Sequence, residues 1–185
     1  TFSPADGSSF SSFEVANILQ FHHVDYLAVA YSDEGVELRK TGITLPIMVM
    51  NPEVMNFEMM IKNRLEPEIY NFRQLNQLAE VLKKHHGEPF KIHLKLDTGM
   101  HRLGFEEREI NELVVRLNNN KHLHIQSVFS HLAGSDEAEH DGFTKLQVDR
   151  FKKMSDEIMS NFNYPIMRHM LISSGILRFS EAQFE

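Results

Sequence analysis

The chain has 185 residues, a formal net charge of -7 at pH 7 and no cysteine. This length can bury one sizeable core, and the absence of cysteine excludes a disulfide scaffold or a thiolate metal site. The negative charge, with no basic block, argues against nucleic acid or an anionic membrane as the main partner. No apolar run is long enough for a membrane span and no signal-peptide pattern opens the sequence, so we expect a soluble, cytoplasmic protein.

Short apolar runs alternate with helical patterns along the whole chain. The periodicity predicts strands at 25–31, 46–51, 65–71, 91–97, 124–132 and 169–174. It predicts helices at 13–21, 32–40, 72–86, 106–117 and 143–161. Ser32 and Asn71 are expected to cap two of these helices at their N-termini, and Gly87 is expected to stop the helix at 72–86.

The alternation of strand and helix is typical of a parallel sheet with right-handed crossovers. The predicted strands are nearly continuous in apolar residues, which favours strands that are covered on both faces. Six such strands fit either a doubly wound sheet or a (β/α)₈ barrel. No Gly-x-Gly-x-x-Gly turn follows the first strand, and this weakens the dinucleotide-binding version of the doubly wound sheet.

The most informative stretch is 94–105, Leu-Lys-Leu-Asp-Thr-Gly-Met-His-Arg-Leu-Gly-Phe. It reads as a buried strand that runs into a polar turn, which is how barrel enzymes place chemistry at one rim. The wording resembles the Lys-x-Asp-Thr-Gly-Met-x-Arg-x-Gly signature of alanine racemases, barrel-type enzymes that use pyridoxal phosphate. Twelve consecutive residues in this order are a specific signal, whereas Asp-Thr-Gly alone would not be.

Further segments resemble the same family in the family's order. They are the Tyr-Leu-Ala-Val-Ala run at 26–30 with the Glu-x-x-x-Leu-Arg type ending at 33–39, the strand at 43–50, the Ser-His-Leu-Ala turn at 130–133, and the strand at 169–179. The resemblance implies a parallel (β/α)₈ TIM-type barrel, incomplete, with about six strands. It also implies that 13–185 form one barrel domain without the family's C-terminal β domain, and that 1–12 form an irregular or altered first-strand region.

The resemblance assigns roles to six residues. Arg102 would bond the phenolic oxygen of the cofactor and steer the substrate carboxylate, and Lys95 would be carbamylated and orient this arginine. His131 would pack on the cofactor ring, while Ser173, Ser174 and Gly175 would surround its phosphate. No metal is implied.

Each of these residues also has a simpler interpretation. Arg102 could be a surface arginine paired with Asp97 or Glu106, although its place after a strand favours function. Lys95 could be a snorkelling lysine paired with an acid, and the two interpretations of this residue have equal weight. The serines could cap a helix, which is compatible with phosphate binding.

The sequence departs from the family pattern at three places. Pro4 lies near the place of the Schiff-base lysine, and Lys40 is the first lysine of the sequence. Ile172 stands where the family usually has Asn in the phosphate strand. The sequence ends at Glu185, before the family's eighth strand and the second domain that supplies a catalytic tyrosine. We therefore expect this chain to be inactive as given and its cofactor to be absent or weakly bound.

Three functions of different class remain open. The first is an alanine racemase, which interconverts L- and D-alanine for peptidoglycan precursors as a homodimer acting on a small amino acid. The second is a single-domain pyridoxal-phosphate-binding carrier or homeostasis protein. The third is a non-catalytic, engineered barrel scaffold. The amino-acid sequence of the turn at 97–104 favours the racemase branch over the carriers, because the carriers have an Asn-rich Gly-x-x-x-Lys sequence at this place.

Overall fold

The computed structural model describes residues 11–85, 87–135, 137–170 and 184. The chain divides into two compact units, Thr1–Glu68 and Ile69–Glu185. Successive strands within each unit pair in parallel, and helices connect them. This confirms the predicted parallel α/β organisation.

The first unit begins with a helix and continues as strand–helix–strand repeats. Its helices are α1 (Ser12–Phe21), α2 (Ser32–Lys40) and α3 (Phe57–Lys62), and its strands are β1 (Leu27–Val29), β2 (Ile47–Val49) and β3 (Leu65–Ile69), which ends at the unit boundary. Leu27 is in register with Ile47, and Ile47 with Leu65. Every residue of β2 and β3 is buried, as expected for strands covered on both faces.

The second unit repeats the same arrangement. Its helices are α4 (Phe72–Leu82), α5 (Ile110–Asn118) and α6 (Asp141–Met159), and its strands are β4 (Phe90–Lys95), β5 (Leu123–Phe129) and β6 (Met167–His169). Lys95 is in register with Phe129, and Phe129 with His169. The last residues of the three strands therefore lie side by side.

The predicted cap of α4 is confirmed, but two other helix-end predictions are wrong. The Asn71 side chain accepts a hydrogen bond from the Gln74 amide at 2.9 Å. Ser32 lies inside α2 instead of capping it, and the Glu34 carboxylate accepts from the Ala30 amide at 2.9 Å just before the helix. Helix α4 ends at Leu82, because tighter i→i−3 bonds from residues 84 and 85 take over before Gly87 is reached.

Helix α3 was missed by the sequence prediction. It has only six residues and follows a short 3-10 turn, Val54–Asn56, so it offers too few turns to show a 3.6-residue period. Phe57 and Met60 nevertheless anchor it, since both side chains are fully buried. Strand β6 starts at Met167, two residues before the prediction, and most of the rest of the predicted strand lies outside the described residues.

Candidate active site

The turn after β4 is pinned by backbone hydrogen bonds at both of its ends. The Asp97 amide donates to the Phe105 carbonyl, and the Phe105 amide donates to the Lys95 carbonyl, each at 2.9 Å. Within the turn, the Asp97 carboxylate accepts from the amides of Gly99 at 2.9 Å and His101 at 3.1 Å. The carboxylate thus serves as an internal brace of the turn.

Gly104 makes this return of the chain possible. Its φ is +133°, and a Cβ at this position would lie 2.5 Å from the Asp97 nitrogen. Only glycine combines this backbone conformation with so close an approach to the end of a strand. The backbone conformation and the close packing therefore explain why the second glycine of the motif, Gly104, is a glycine.

Lys95, Arg102 and His131, three of the predicted site residues, come together at the C-terminal ends of β4 and β5. Lys95 is 6% exposed, and its Nζ lies 5.5 Å from the centroid of the Phe129 ring. His131 is half-buried and Arg102 is exposed. Burial lowers the pKa of His131, and the charges of Arg102 and Lys95 lower it further. Both effects favour the neutral form of the His131 imidazole.

The two acids that could have paired with Arg102 have other partners. The Asp97 carboxylate lies 3.5 Å from the His101 Nδ1 and braces the turn, and Glu106 pairs with Arg108 at 2.9 Å. The role of Arg102 as a cofactor or substrate ligand stays a prediction. The carbamylation of Lys95 stays one as well.

A buried polar network beneath the site was missed by the sequence prediction. Thr98, Ser130 and Gln147 are all buried, and the Thr98 and Ser130 hydroxyls lie 2.9 Å apart. Gln147 belongs to α6, nearly fifty residues after Thr98. The sequence held one signal of this network, a glutamine on the buried face of α6. A fully buried glutamine needs specific hydrogen-bond partners.

A second polar chain crosses the three strands of the second unit. His93 Nδ1 lies 2.7 Å from the Ser127 hydroxyl, which lies 3.2 Å from His169 Nε2. The His169 ring stacks on Phe129 with centroids 5.0 Å apart. Although part of His169 remains exposed, desolvation of this ring and the nearby His93 lower its pKa to about 4. The lowered pKa thus favours a neutral imidazole at His169.

The other predicted site positions lie outside the described residues. They are Pro4, near the predicted lysine position, Ile172, and the predicted phosphate ligands Ser173, Ser174 and Gly175. Their roles stay predictions.

Parallel strands joined by helices, with polar groups at the strand C-termini, are typical of α/β enzymes, both barrels and doubly wound sheets. Residues 5–185 match the family model for the alanine racemase N-terminal domain. The chain is 34% identical to the alanine racemase of Treponema denticola over 165 residues, covering 88% of this chain and 43% of that protein. It is 34% identical to the alanine racemase of Prochlorococcus marinus over 191 residues, covering 98% of this chain and 48% of that protein.

The similar solved structures belong to the same family as these relatives. The alanine racemase of Clostridium difficile 630 superimposes with a TM-score of 0.85 at 33% identity, covering 94% of this chain and 48% of that one. The complex of that enzyme with cycloserine superimposes with a TM-score of 0.86. The chain belongs to the alanine racemase family, and its fold class is the family's parallel α/β barrel type. It spans about half the length of the curated relatives it matches.

Alanine racemases as a family depend on pyridoxal phosphate. None of the described helices combines the length and apolar character that a bilayer span requires.

Proposed function

We propose that this chain forms the cofactor-holding barrel portion of an amino-acid racemase, whose whole enzyme is a homodimer that interconverts L- and D-alanine for peptidoglycan precursors. The observation that supports this proposal is the convergence of Lys95, Arg102 and His131 at the ends of β4 and β5. Two cations that act on one neutral imidazole make a site for an anionic, planar molecule.

The residues present fit pyridoxal phosphate in charge and in side-chain chemistry. The cofactor carries a phenolic oxygen on an aromatic ring, so it needs a cationic donor at the edge of the ring and a flat contact on its face. The planar guanidinium of Arg102 is exposed and available as the donor. The His131 imidazole is neutral and half-buried, which suits a ring contact.

Each residue then has a distinct task. Arg102 donates hydrogen bonds to the phenolic oxygen and attracts the carboxylate of the amino acid. Lys95 is buried with its Nζ 5.5 Å from the centroid of the Phe129 ring, and in its uncarbamylated form it contributes positive charge that favours an anion. The lowered pKa of His131 favours its neutral imidazole, which would act by contact with the cofactor ring. When bound, the cofactor supplies the electron sink that makes the α-proton of the substrate acidic.

We further propose that the 185-residue chain on its own binds the cofactor weakly and does not racemise alanine. Lys40 is the first lysine of the sequence, so neither a covalent anchor nor a lysine base stands at Pro4. Ile172 offers an alkyl group where an amide would orient the phosphate. Without these contacts the dissociation constant should be roughly high micromolar to millimolar.

Titration with pyridoxamine phosphate, which cannot condense with surface lysines, tests the site. We expect Arg102→Leu to weaken binding by about tenfold or more, since a charge-assisted hydrogen bond contributes about 1.5–3 kcal/mol. Arg73→Leu, which removes an exposed arginine of α4, is the matched control and should leave binding unchanged. Equal binding by the wild type and Arg102→Leu would contradict the proposal.

Borohydride reduction after addition of pyridoxal phosphate separates the three functions. A racemase portion without its lysine should yield no single-site covalent adduct and no exchange of the alanine α-proton in D₂O. Tight binding without exchange would favour the carrier function, and no binding at all would favour a bare scaffold. A stoichiometric adduct at one lysine, with α-proton exchange, would refute the inactive state of this chain.

A further inference from the structure

One side chain of α6 contacts both loops that carry the candidate site. The Gln147 Nε2 donates to the Thr98 hydroxyl at 3.2 Å and to the His131 carbonyl at 3.1 Å. Its Oε1 accepts from the Ala133 amide at 2.9 Å. Thr98 belongs to the turn that carries Arg102, whereas His131 and Ala133 belong to the loop after β5. Gln147 therefore bridges these two segments directly.

The hydroxyl pair between the loops gives this bridge a defined direction. The Ser130 hydroxyl donates to the Leu96 carbonyl at 2.7 Å, so the Thr98 hydroxyl donates to Ser130. The Thr98 oxygen is then free to accept from Gln147. Each of these polar groups is buried and satisfied, so that the loss of one partner would leave another group buried without a hydrogen bond.

The same side of α6 supports the turn at two further points. Arg150 Nη1 donates to the Thr98 carbonyl at 3.4 Å. A Cβ on Gly99 would lie 3.3 Å from both the Phe143 ring and Arg150 Nη1, so the turn packs closely on the helix. Positions 143, 147 and 150 follow helical spacing. Helix α6 thus presents one continuous surface to the turn, with Gln147 at its centre.

We propose that Gln147 is a positioning residue, which fixes His131 relative to the turn that carries Arg102. It holds the backbone of the loop after β5 at His131 and Ala133, and it holds the turn through the Thr98 hydroxyl. The relevance of this alignment to catalysis rests on the proposed function, but the alignment itself is a property of the chain without cofactor. A test that reads His131 directly can therefore fail independently of that function.

The test compares two Gln147 variants of the 185-residue chain by NMR. Gln147→Met keeps the length of the side chain and removes all three hydrogen bonds. Gln147→Glu keeps an acceptor for the Ala133 amide and removes both donors. Gln74→Met is the matched control, because Gln74 is a buried glutamine near the start of α4, whose Oε1 accepts from the Tyr70 amide at 3.2 Å.

The variants should change different signals. In Gln147→Met, hydrogen exchange of the Ala133 amide should rise by about tenfold. The pKa of His131 should move upward toward its ordinary value, because the ring loses its fixed burial and its fixed distance from Arg102 and Lys95. In Gln147→Glu, the Ala133 amide should stay protected while the Thr98 hydroxyl and nearby amides shift. Gln74→Met should leave His131 unchanged.

Two results would overturn the proposal. One is a folded Gln147→Met chain in which His131 titrates as in the wild type. The other is a His131 shift of equal size in Gln74→Met, which would assign the effect to general loosening of the second unit. Unchanged pyridoxamine phosphate binding together with a shifted His131 would leave the positioning role intact and count against the proposed function instead.

Discussion

Gly104→Ala should destabilise the chain strongly and disrupt the turn that carries Arg102. The glycine has a φ of +133°, and a Cβ there would lie 2.5 Å from the Asp97 nitrogen and 2.7 Å from the Leu96 carbonyl carbon. Both neighbours are backbone atoms, which cannot move aside as the end of a side chain could. The strand end and the returning turn would have to separate.

The expected magnitude combines two costs. The backbone conformation, which is nearly restricted to glycine, costs about 1–3 kcal/mol for alanine. Separation of the segments weakens the two backbone hydrogen bonds of Asp97 and Phe105, at about 0.5–1.5 kcal/mol each. We therefore expect the free energy of unfolding to fall by about 2–6 kcal/mol.

Urea denaturation followed by circular dichroism measures this loss, and two other glycines separate its causes. Gly42 has a φ of +94° with open space around the Cβ position, so Gly42→Ala reports the conformational cost alone. Gly87 has open space and no positive φ, so Gly87→Ala should be nearly neutral. If Gly104→Ala costs no more than Gly42→Ala, close approach to the strand end is not the reason for this glycine.

Three further substitutions test other parts of the structure by the same denaturation assay. Arg39→Met should lower the free energy of unfolding by about 2–4 kcal/mol, because one guanidinium donates to four carbonyls. The control Lys62→Met on α3 should lower it far less, and equal losses would contradict this explanation. These carbonyls belong to Ile43, Leu45, Asn63 and Arg64. Asn71→Ala should cost about 1 kcal/mol by removing the N-cap of α4, and a neutral result would show that the cap is dispensable. The pKa of His169 is about 4 in the folded chain and 6.5 for an ordinary histidine, so the unfolded state binds more protons than the folded state as pH falls between these values. The wild type should therefore lose about 1–2 kcal/mol of folding stability between pH 6.5 and 4 because of His169, a figure reduced for the partial exposure of the ring. His169→Gln should lack this part of the pH dependence.

The order of strands and helices could be predicted from sequence because it depends on local patterns. Apolar runs such as 46–51 and the stripe of α4 at Leu75, Leu78 and Leu82 report burial by their own spacing. The helix ends were less predictable. Ser32 has the right residue type for an N-cap, but Glu34 satisfies the amide just before α2 instead.

The candidate site could be predicted only in part, for a different physical reason. Lys95, Arg102 and His131 lie at strand ends, where a parallel sheet gathers polar groups, so their proximity could be predicted from their position along the chain. Their roles rest on the family resemblance and stay predictions. Gln147 and Ser127 act through partners 14 to 49 residues away in sequence. No local pattern specifies such pairs, because they are created when the elements pack together.

The most direct test of the central claim maps pyridoxamine phosphate onto the chain by NMR. Weak binding is suited to chemical-shift mapping during a titration. If Lys95, Arg102 and His131 form the cofactor site, the largest shifts should cluster on these three residues and on the turn at 97–104. Shifts that cluster elsewhere on the chain, with these residues unmoved at saturating ligand, would contradict it.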